Sequence, residues 1–297
     1  MTEIFLSIIV PNYNYGRFLG EALESIFSQC DQPQRGDGGC ITLPISGCDG
    51  CVEVIVCDAA SSDESVEIIK KYSGKISWWC SEKDGGQSSA FNKGFSHAHG
   101  DWLTWLNADD FYLPNVFSRL YKFIKRHPKA QWVTGNMVAF DSKNRRIRSV
   151  NWGPHVQVPL LKGRHVYNIV FGPTSFFKME TYKQIGPVDE ALHYAMDTDY
   201  WARMIMAGIR QSRFNKICWA LRVHEESKTQ GEQDLLVMKR RLDESIYIRD
   251  KTGYAFSKSA LNIWYLIWGI WRIVDGSWLV RKLLKCRYEQ RAIEDLR

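Results

Sequence analysis

Between Gly100 and Pro114 the chain reads GDWLTWLNADDFYLP, and no other stretch limits its fold so tightly. Trp102, Leu103, Thr104, Trp105 and Leu106 are β-branched, aromatic or apolar with no charged interruption, the pattern of a central parallel strand covered on both faces. Open sheets of such strands bind ligands in the crevice beyond their carboxyl ends. Asn107, Asp109 and Asp110 stand at that end. Hard oxygen donors at this spacing suit Mg²⁺ or Mn²⁺ carrying a diphosphate. The alternative is that Asn107 and Asp109 cap a helix beginning near Pro114.

The segments before this strand repeat its logic. Leu6–Val10 is an apolar run ended by Pro11 and the polar, aromatic loop Asn12, Tyr13, Asn14, Tyr15, Gly16. Over 17–29, Phe18, Leu19, Ala22, Leu23, Ile26 and Phe27 recur at helical spacing. Val52–Val56 is a second strand with Asp58 just past its end, followed by Ser61, Ser62, Asp63 and Glu64, suited to cap a helix. Ile76–Cys80 is a third, and its loop, with Asp84, Gly85, Gly86 and Gln87, feeds a helix holding Asn92 and Lys93. Strands alternating with helices at this rhythm imply right-handed crossovers, a mostly parallel sheet, and loops gathered along one edge. A helix over 113–126 and a strand over 131–141 follow, and there the clean alternation stops.

Further on, SFFKM after Phe171–Thr174 reads as a loop entering a strand, and 180–185 as a short helix. Residues 196–207, MDTDYWARMIMA, are helical in spacing and open with two acids two residues apart. Asp197 and Asp199 therefore do not share a helix face and have different tasks. Cys218–Val223 is strand-like and ends at His224, and 232–252 is a charged amphipathic helix. Ala260–Val274, ALNIWYLIWGIWRIV, is apolar around most of a helix but short of the roughly 20 residues that cross a bilayer. With Trp264, Trp268 and Trp271 ahead of the basic cluster 281–287, it fits a helix lying on an anionic membrane; packing on the domain or on a second copy is the alternative.

With 297 residues, 45% of them hydrophobic, the chain can bury a sizeable core. Its net charge of +6 is modest and concentrated late, which points to an anionic surface, and no aromatic-basic motif or zinc-finger helix supports nucleic-acid binding. The start, MTEIFLSIIV, has an acid where a signal peptide needs positive charge, so a cytoplasmic protein, peripheral at the inner face of the membrane, is expected. Eight cysteines there are free thiols or metal ligands before they are disulfides. Cys30, Cys40, Cys48 and Cys51 fall in an insertion between the first helix and second strand. The Cys48–Cys51 spacing suits a structural Zn²⁺, against free thiols on a loop.

Six of these segments, in order over roughly residues 5–230, resemble the family 2 glycosyltransferases of the GT-A fold: SIIVPNYNYGRFLGEALESIFSQ, VEVIVCDAASSDES, EKDGGQSSAFNKGF, LNADD, YAMDTDYWARM and LRVHEESKT. The resemblance implies an α/β fold with a mostly parallel sheet between helices, a GT-A domain over 1–230 and a helical extension over 231–297. It implies an inverting, metal-dependent transfer from a nucleotide-diphosphate sugar, UDP-linked by preference, to a glycan or lipid-linked acceptor in cell-surface polysaccharide synthesis. Donor contacts then fall on Pro11, Asn12, Tyr13 and Asn14, on Asp58 at the base, on Gln87 and Lys93 under the sugar-phosphate, and on Asn107, Ala108 and Asp109. Asp109 and His224 hold Mn²⁺ or Mg²⁺, and Asp197 is the base that takes the acceptor's proton.

Two departures stand out. Asn107 replaces the first acid of the family's DxD metal motif, leaving Asp110 as a supporting partner of Asp109, and the cysteine-rich insertion is foreign to the pattern. Taken singly, His224 also reads as a solvated strand end, Asp63 as a helix cap, Lys93 as a solvent-facing cation and Asp197 as a cap. A noncatalytic nucleotide-sugar-binding scaffold is the competing function. A sugar nucleotidyltransferase is not, because PNYNYG lacks the glycine-rich basic phosphate loop that chemistry needs.

Overall fold

The computed structural model describes residues 4–36, 40–152, 170, 172–227, 235–252, 270, 273–274 and 276–296. The apolar helix expected over 260–274 lies outside them except for Ile270, Ile273 and Val274.

Four parallel strands make the half of the sheet that faces the amino-terminal loops. β1 (Ile4–Asn12) lies between β4 (Cys51–Asp58) and β6 (Trp102–Trp105), and β5 (Trp78–Ser81) pairs with the carboxyl half of β4. Every residue of β4 and β6 is buried, including Glu53 and Asp58 in the otherwise largely apolar β4. Beyond β6 the pairing becomes mixed. β10 (Ser175–Lys178) runs antiparallel between β6 and β8 (Trp132–Asp141), and β8 pairs in parallel with β11 (Gln211–Val223). β7 (Phe111–Tyr112) pairs with β11, and β9 (Ile147–Asn151) with β8, both antiparallel.

Side-chain alternation divides the core in two. Leu6, Ile8 and Val10 of β1 face α1 (Gly16–Phe27) and α4 (Val116–Arg126) through Leu19, Leu23, Phe117 and Leu120. Ile9 faces the other way, toward Phe91 and Phe95 of α3 (Gln87–Ser96) and Tyr200 and Trp201 of α6 (Met196–Met206). Trp201 is stacked between Trp105 and Trp132, each 5.4 Å from it between centroids. That stack docks α6 on the end of β6. α7 (Leu235–Thr252) adds Ile248 to the same cluster, and α8 (Ser277–Tyr288) packs Leu284 and Tyr288 on the first.

The cysteine-rich insertion is a hairpin, not a metal knuckle. β2 (Gln34–Arg35) and β3 (Ile41–Pro44) pair with each other, and β3 joins β4 antiparallel through Leu43 and Pro44. It covers the amino-terminal part of an edge whose carboxyl half β5 occupies, which shields otherwise unpaired strand. The expected four-thiolate Zn²⁺ site is not assembled. Cys30 Sγ points at the Ile26 carbonyl, Cys40 at Ile41 and Cys48 at Ser118 on α4, while Cys51 is buried in β4. Spreading the segment along the sheet edge directs its thiols to different neighbours. Among the described residues no three His, Cys, Asp or Glu side chains group to hold a metal, and all eight cysteines are free thiols.

Candidate active site

A strand register brings the acid loop and His224 together. In β7 and β11, Tyr112 stands opposite Trp219 and Phe111 opposite Ala220. Continuing two residues along that antiparallel register puts Asp109 beside Arg222. The Arg222 backbone N–H donates to Asp110 Oδ1 (2.9 Å) and its Nε to the Asp109 carbonyl (2.7 Å). Its guanidinium is buried, paired with Glu21 and laid over the rings of Phe18 and Phe140. A buried cation so paired fixes the loop from below. Two residues on, His224 Nε2 lies 3.0 Å from Asp109 Oδ2, its ring against Tyr15 and Phe18.

Asn107 acts as a bridge. Its Oδ1 accepts from Gln87 Nε2 (2.9 Å) and its Nδ2 donates to Asp110 Oδ2 (3.0 Å). A carboxylate at this position would have no donor to offer Asp110, so the departure from the acidic pattern fits its surroundings. Burial, and then the charge of Asp109, push the Asp110 carboxyl well above the ordinary range. Burial and the Asp109 charge also push the Tyr15 phenol up to about 12.

Asp197 comes from the opposite side of the same space. It lies one turn before Trp201 on α6, and residues at that spacing share a face, so the Trp201–Trp105 stack turns Asp197 toward the end of β6. Its Oδ1 accepts from the Thr198 N–H (2.7 Å) and hydroxyl (3.3 Å). The carboxyl meets the cavity yet lies deep enough that burial raises its pKa above the usual value, outweighing the Thr198 hydrogen bonds. Asp199 turns away, fully buried, onto Arg203 Nε (2.7 Å) and Lys251 Nζ (3.1 Å).

Between these groups is a cavity of about 720 Å³. Of the residues expected to contact a donor, Pro11, Asn12, Tyr13, Gln87, Asn107, Ala108 and Asp109 line it, and Asp197 does too. Asn14, Asp58 and Lys93 stand outside its wall. Asn14 Oδ1 accepts from the Ser62 N–H, and Lys93 pairs with Glu82 at 2.9 Å. Asp58 is only 1% exposed and its carboxylate accepts from Asn12 Nδ2, from the N–H and hydroxyl of Ser61, and from Ser81 Oγ. Four donors saturate it, so here it ties together the ends of β1, β4 and β5. His224 lies behind Asp109, on the wall of a second cavity of about 340 Å³.

The cavity also takes residues that sequence reading passed over: Asp84, Trp219, Tyr194 and Arg241. Asp84 carried a signal, the acid-glycine turn before α3, where its Oδ1 accepts from the Gly86 N–H (2.8 Å). Arg241 carried none, because it sits on α7, far along the chain.

Asp109 and His224 fit a divalent ion. Two ligands about 2.1 Å from an octahedral ion, at right angles, are about 3.0 Å apart, and the carboxylate oxygen and imidazole nitrogen are separated by 3.0 Å. Nε2 is the ring nitrogen turned to the Asp109 carboxylate, while Nδ1 is buried with no partner. Among the described residues no third His, Cys, Asp or Glu joins them.

Similarity to solved structures shows the same fold. S. aureus TarS 1–349 in complex with UDP is 20% identical, with a TM-score of 0.56 over 80% of this chain and 68% of that one. Mannosyltransferase PcManGT from Pyrobaculum calidifontis, in complex with GDP-Man and Mn²⁺, is 16% identical, with a TM-score of 0.52 over 95% of this chain and 87% of that one. The architecture is therefore the GT-A fold, a mixed α/β sheet with a parallel centre. The sequence profile of glycosyl transferase family 2 matches residues 7–186, and the chain belongs to that family. The uncharacterized glycosyltransferase RT0329 of Rickettsia typhi is 26% identical over 209 residues, 67% of this chain and 58% of that protein. Two further Rickettsia relatives are matched over 31% of their length, so the match spans from 31% to 58% of these three relatives.

Proposed function

We propose that the protein transfers a sugar from a nucleotide-diphosphate sugar to an acceptor hydroxyl with inversion at the anomeric carbon. The observation that carries this reading is one cavity with Asp109, backed by His224, on one wall and Asp197 on another. The acceptor oxygen attacks C1, its proton passes to Asp197, and the C1–oxygen bond to the diphosphate breaks with its electrons leaving on the diphosphate. Asp109 and His224 would hold a divalent ion, Mg²⁺ or Mn²⁺, whose charge when bound would offset that of the leaving diphosphate. Asn107, locked by Gln87 and Asp110, and the loop 11–13 shape the donor side. UDP in the TarS complex and GDP-Man with Mn²⁺ in PcManGT support a nucleotide-sugar donor; the first agrees with the uridine that the family resemblance implies and the second carries guanosine. A base and a leaving-group site facing one cavity favour turnover over a sugar-binding scaffold.

The acceptor proposed is a glycan or lipid-linked hydroxyl near an anionic membrane surface. In support, α8 turns Ser277, Leu284 and Tyr288 inward and exposes Trp278, Leu279 and Leu283 beside Lys282, Lys285 and Arg287. No helix of the described residues is long and apolar enough to cross a membrane. Flotation with anionic vesicles should fall in Leu279→Glu/Leu283→Glu; equal flotation of both proteins sinks the membrane reading. For the activity, purified protein is incubated with a panel of UDP- and GDP-sugars and nucleotide release is followed with and without chelator. Metal-dependent release from at least one donor is expected. Binding of a donor with no release under any acceptor or metal condition favours the scaffold instead.

A further inference from the structure

The stretch 186–195 that delivers Asp197 to the cavity makes few backbone bonds of its own and is fastened from three sides. From α3, Asn92 holds Val188 through both main-chain groups (2.8 and 2.9 Å), and Ser88 Oγ donates to the Leu192 carbonyl. From α6 itself, Arg203 donates to the carbonyls of Ile185 and Pro187. The last three residues before α6 are held from α7 alone among these contacts. Glu244 Oε1 accepts from the His193 N–H, and Oε2 from the N–H groups of Tyr194 and Ala195, all at 2.8 Å. Three consecutive amides converge on one carboxylate, two residues before Asp197.

The rest of α7 is anchored to the same stretch. Tyr247 Oη donates to Asp189 Oδ2 (3.0 Å), Lys251 Nζ bridges Asp189 (2.6 Å) and Asp199 (3.1 Å), and Ile248 is buried against α6. Arg241, one turn before Glu244, lines the cavity and lies over the Tyr194 ring. These contacts join α7 to the approach to α6, which carries the carboxylate facing the cavity; both helices lie beyond the segment that matches the family profile, residues 7–186.

We infer that Glu244 is a positioning residue: its carboxylate, by gathering the amides of 193–195, sets where α6 begins and hence where Asp197 stands against the acceptor. The inference rests on Asp197 being the base of the proposed reaction. Charge-assisted bonds to three amides are geometrically demanding, since an anion must sit where all three N–H directions meet. The Trp201 stack docks the body of α6, and the Glu244 bonds fasten the residues that lead into its first turn, where a misplacement of about 1 Å at a reacting group costs on the order of 10² in rate.

Two readouts test this in the full chain. Hydrogen exchange follows the amides of 193–199 in wild type, Glu244→Ala and Glu244→Gln, with the surface variant Arg249→Ala as control. Kinetics on the nucleotide sugar found in the donor panel separate kcat from KM. In Glu244→Ala, exchange at 193–195 should rise while the β1 and β4 amides keep their protection, and kcat for transfer should fall about 10²-fold with donor KM within about two-fold. Glu244→Gln, which keeps one carbonyl oxygen for the amides, should recover part of that loss. Unchanged exchange at 193–195 overturns the clamp. Raised exchange with wild-type kcat overturns the positioning role, as does a loss matched by equal weakening of donor binding. If wild type turns over no donor, the functional reading fails by itself, and the clamp is still decided by exchange.

Discussion

Replacing Asp197 by Asn separates proton transfer from the hydrogen bonds this residue makes in the first turn of α6. The residue's Oδ1 accepts from the Thr198 N–H and hydroxyl, and an Asn carbonyl oxygen in that place keeps both bonds. Only proton uptake is lost. General-base catalysis contributes about 10²–10⁴ in rate, which at roughly 1.4 kcal/mol per decade is about 3–5.5 kcal/mol of transition-state stabilisation. The two Thr198 bonds, removed together in Asp197→Ala, are worth about 1 kcal/mol each. In Asp197→Asn, transfer rates should fall by at least about 10² while donor binding measured by calorimetry holds. A second readout follows from burial, which raises the folded-state pKa of this carboxyl above 3.8. Between the unfolded and folded values the folded protein holds more protons, so this residue's stabilising share is full at low pH and is lost as pH rises through the folded value. Asp197→Asn escapes that loss. It should melt higher than wild type at neutral pH, the gap closing as pH falls toward 3.8. Transfer within a few-fold of wild type refutes the base assignment, and a melting gap that widens toward acid refutes the burial argument.

Asp109→Ala should lower donor turnover by an order of 10² or more with an unchanged far-UV spectrum, and turnover undiminished in chelator would remove the metal from the scheme. Gly100→Ala should destabilise by about 1–3 kcal/mol, because its Cβ would stand 2.6 Å from Ser7 Oγ, 2.7 Å from Ser7 N and 2.9 Å from the Leu6 carbonyl carbon; an unchanged melting temperature contradicts that packing. A thiol reagent should modify exposed Cys286 first and reach the buried Cys57 and Cys218, whose thiols burial pushes up, only in denaturant. Metal analysis of the native protein should find no stoichiometric zinc, and one zinc per chain would restore the four-cysteine site.

What the sequence determined by itself was local and periodic. Largely apolar runs marked β1, β4 and β6, helical spacing marked α1 and α6, and a two-residue offset sent Asp197 and Asp199 to different faces, since a helix turns about 200° in two residues. Acids at the end of a buried strand announced a site because parallel strands end together along one edge. Long-range pairing was another matter. That β7 takes its register from β11, so that Asp109 meets His224, depends on two residues paired across more than a hundred. The family resemblance made Asp58 a base contact; that its carboxylate accepts from Asn12, Ser61 and Ser81 is visible only once the chain has brought those residues to the end of β4. The cysteine spacing suggested a metal knuckle until an open strand edge on β4 drew the segment out as a hairpin. Glu244 and Arg241, on a helix that composition showed only as charged and amphipathic, reach the cavity because α7 packs on α6. Periodicity records which way a side chain points from its own backbone; which group it meets there is set by the burial and hydrogen bonding of segments that the sequence keeps far apart.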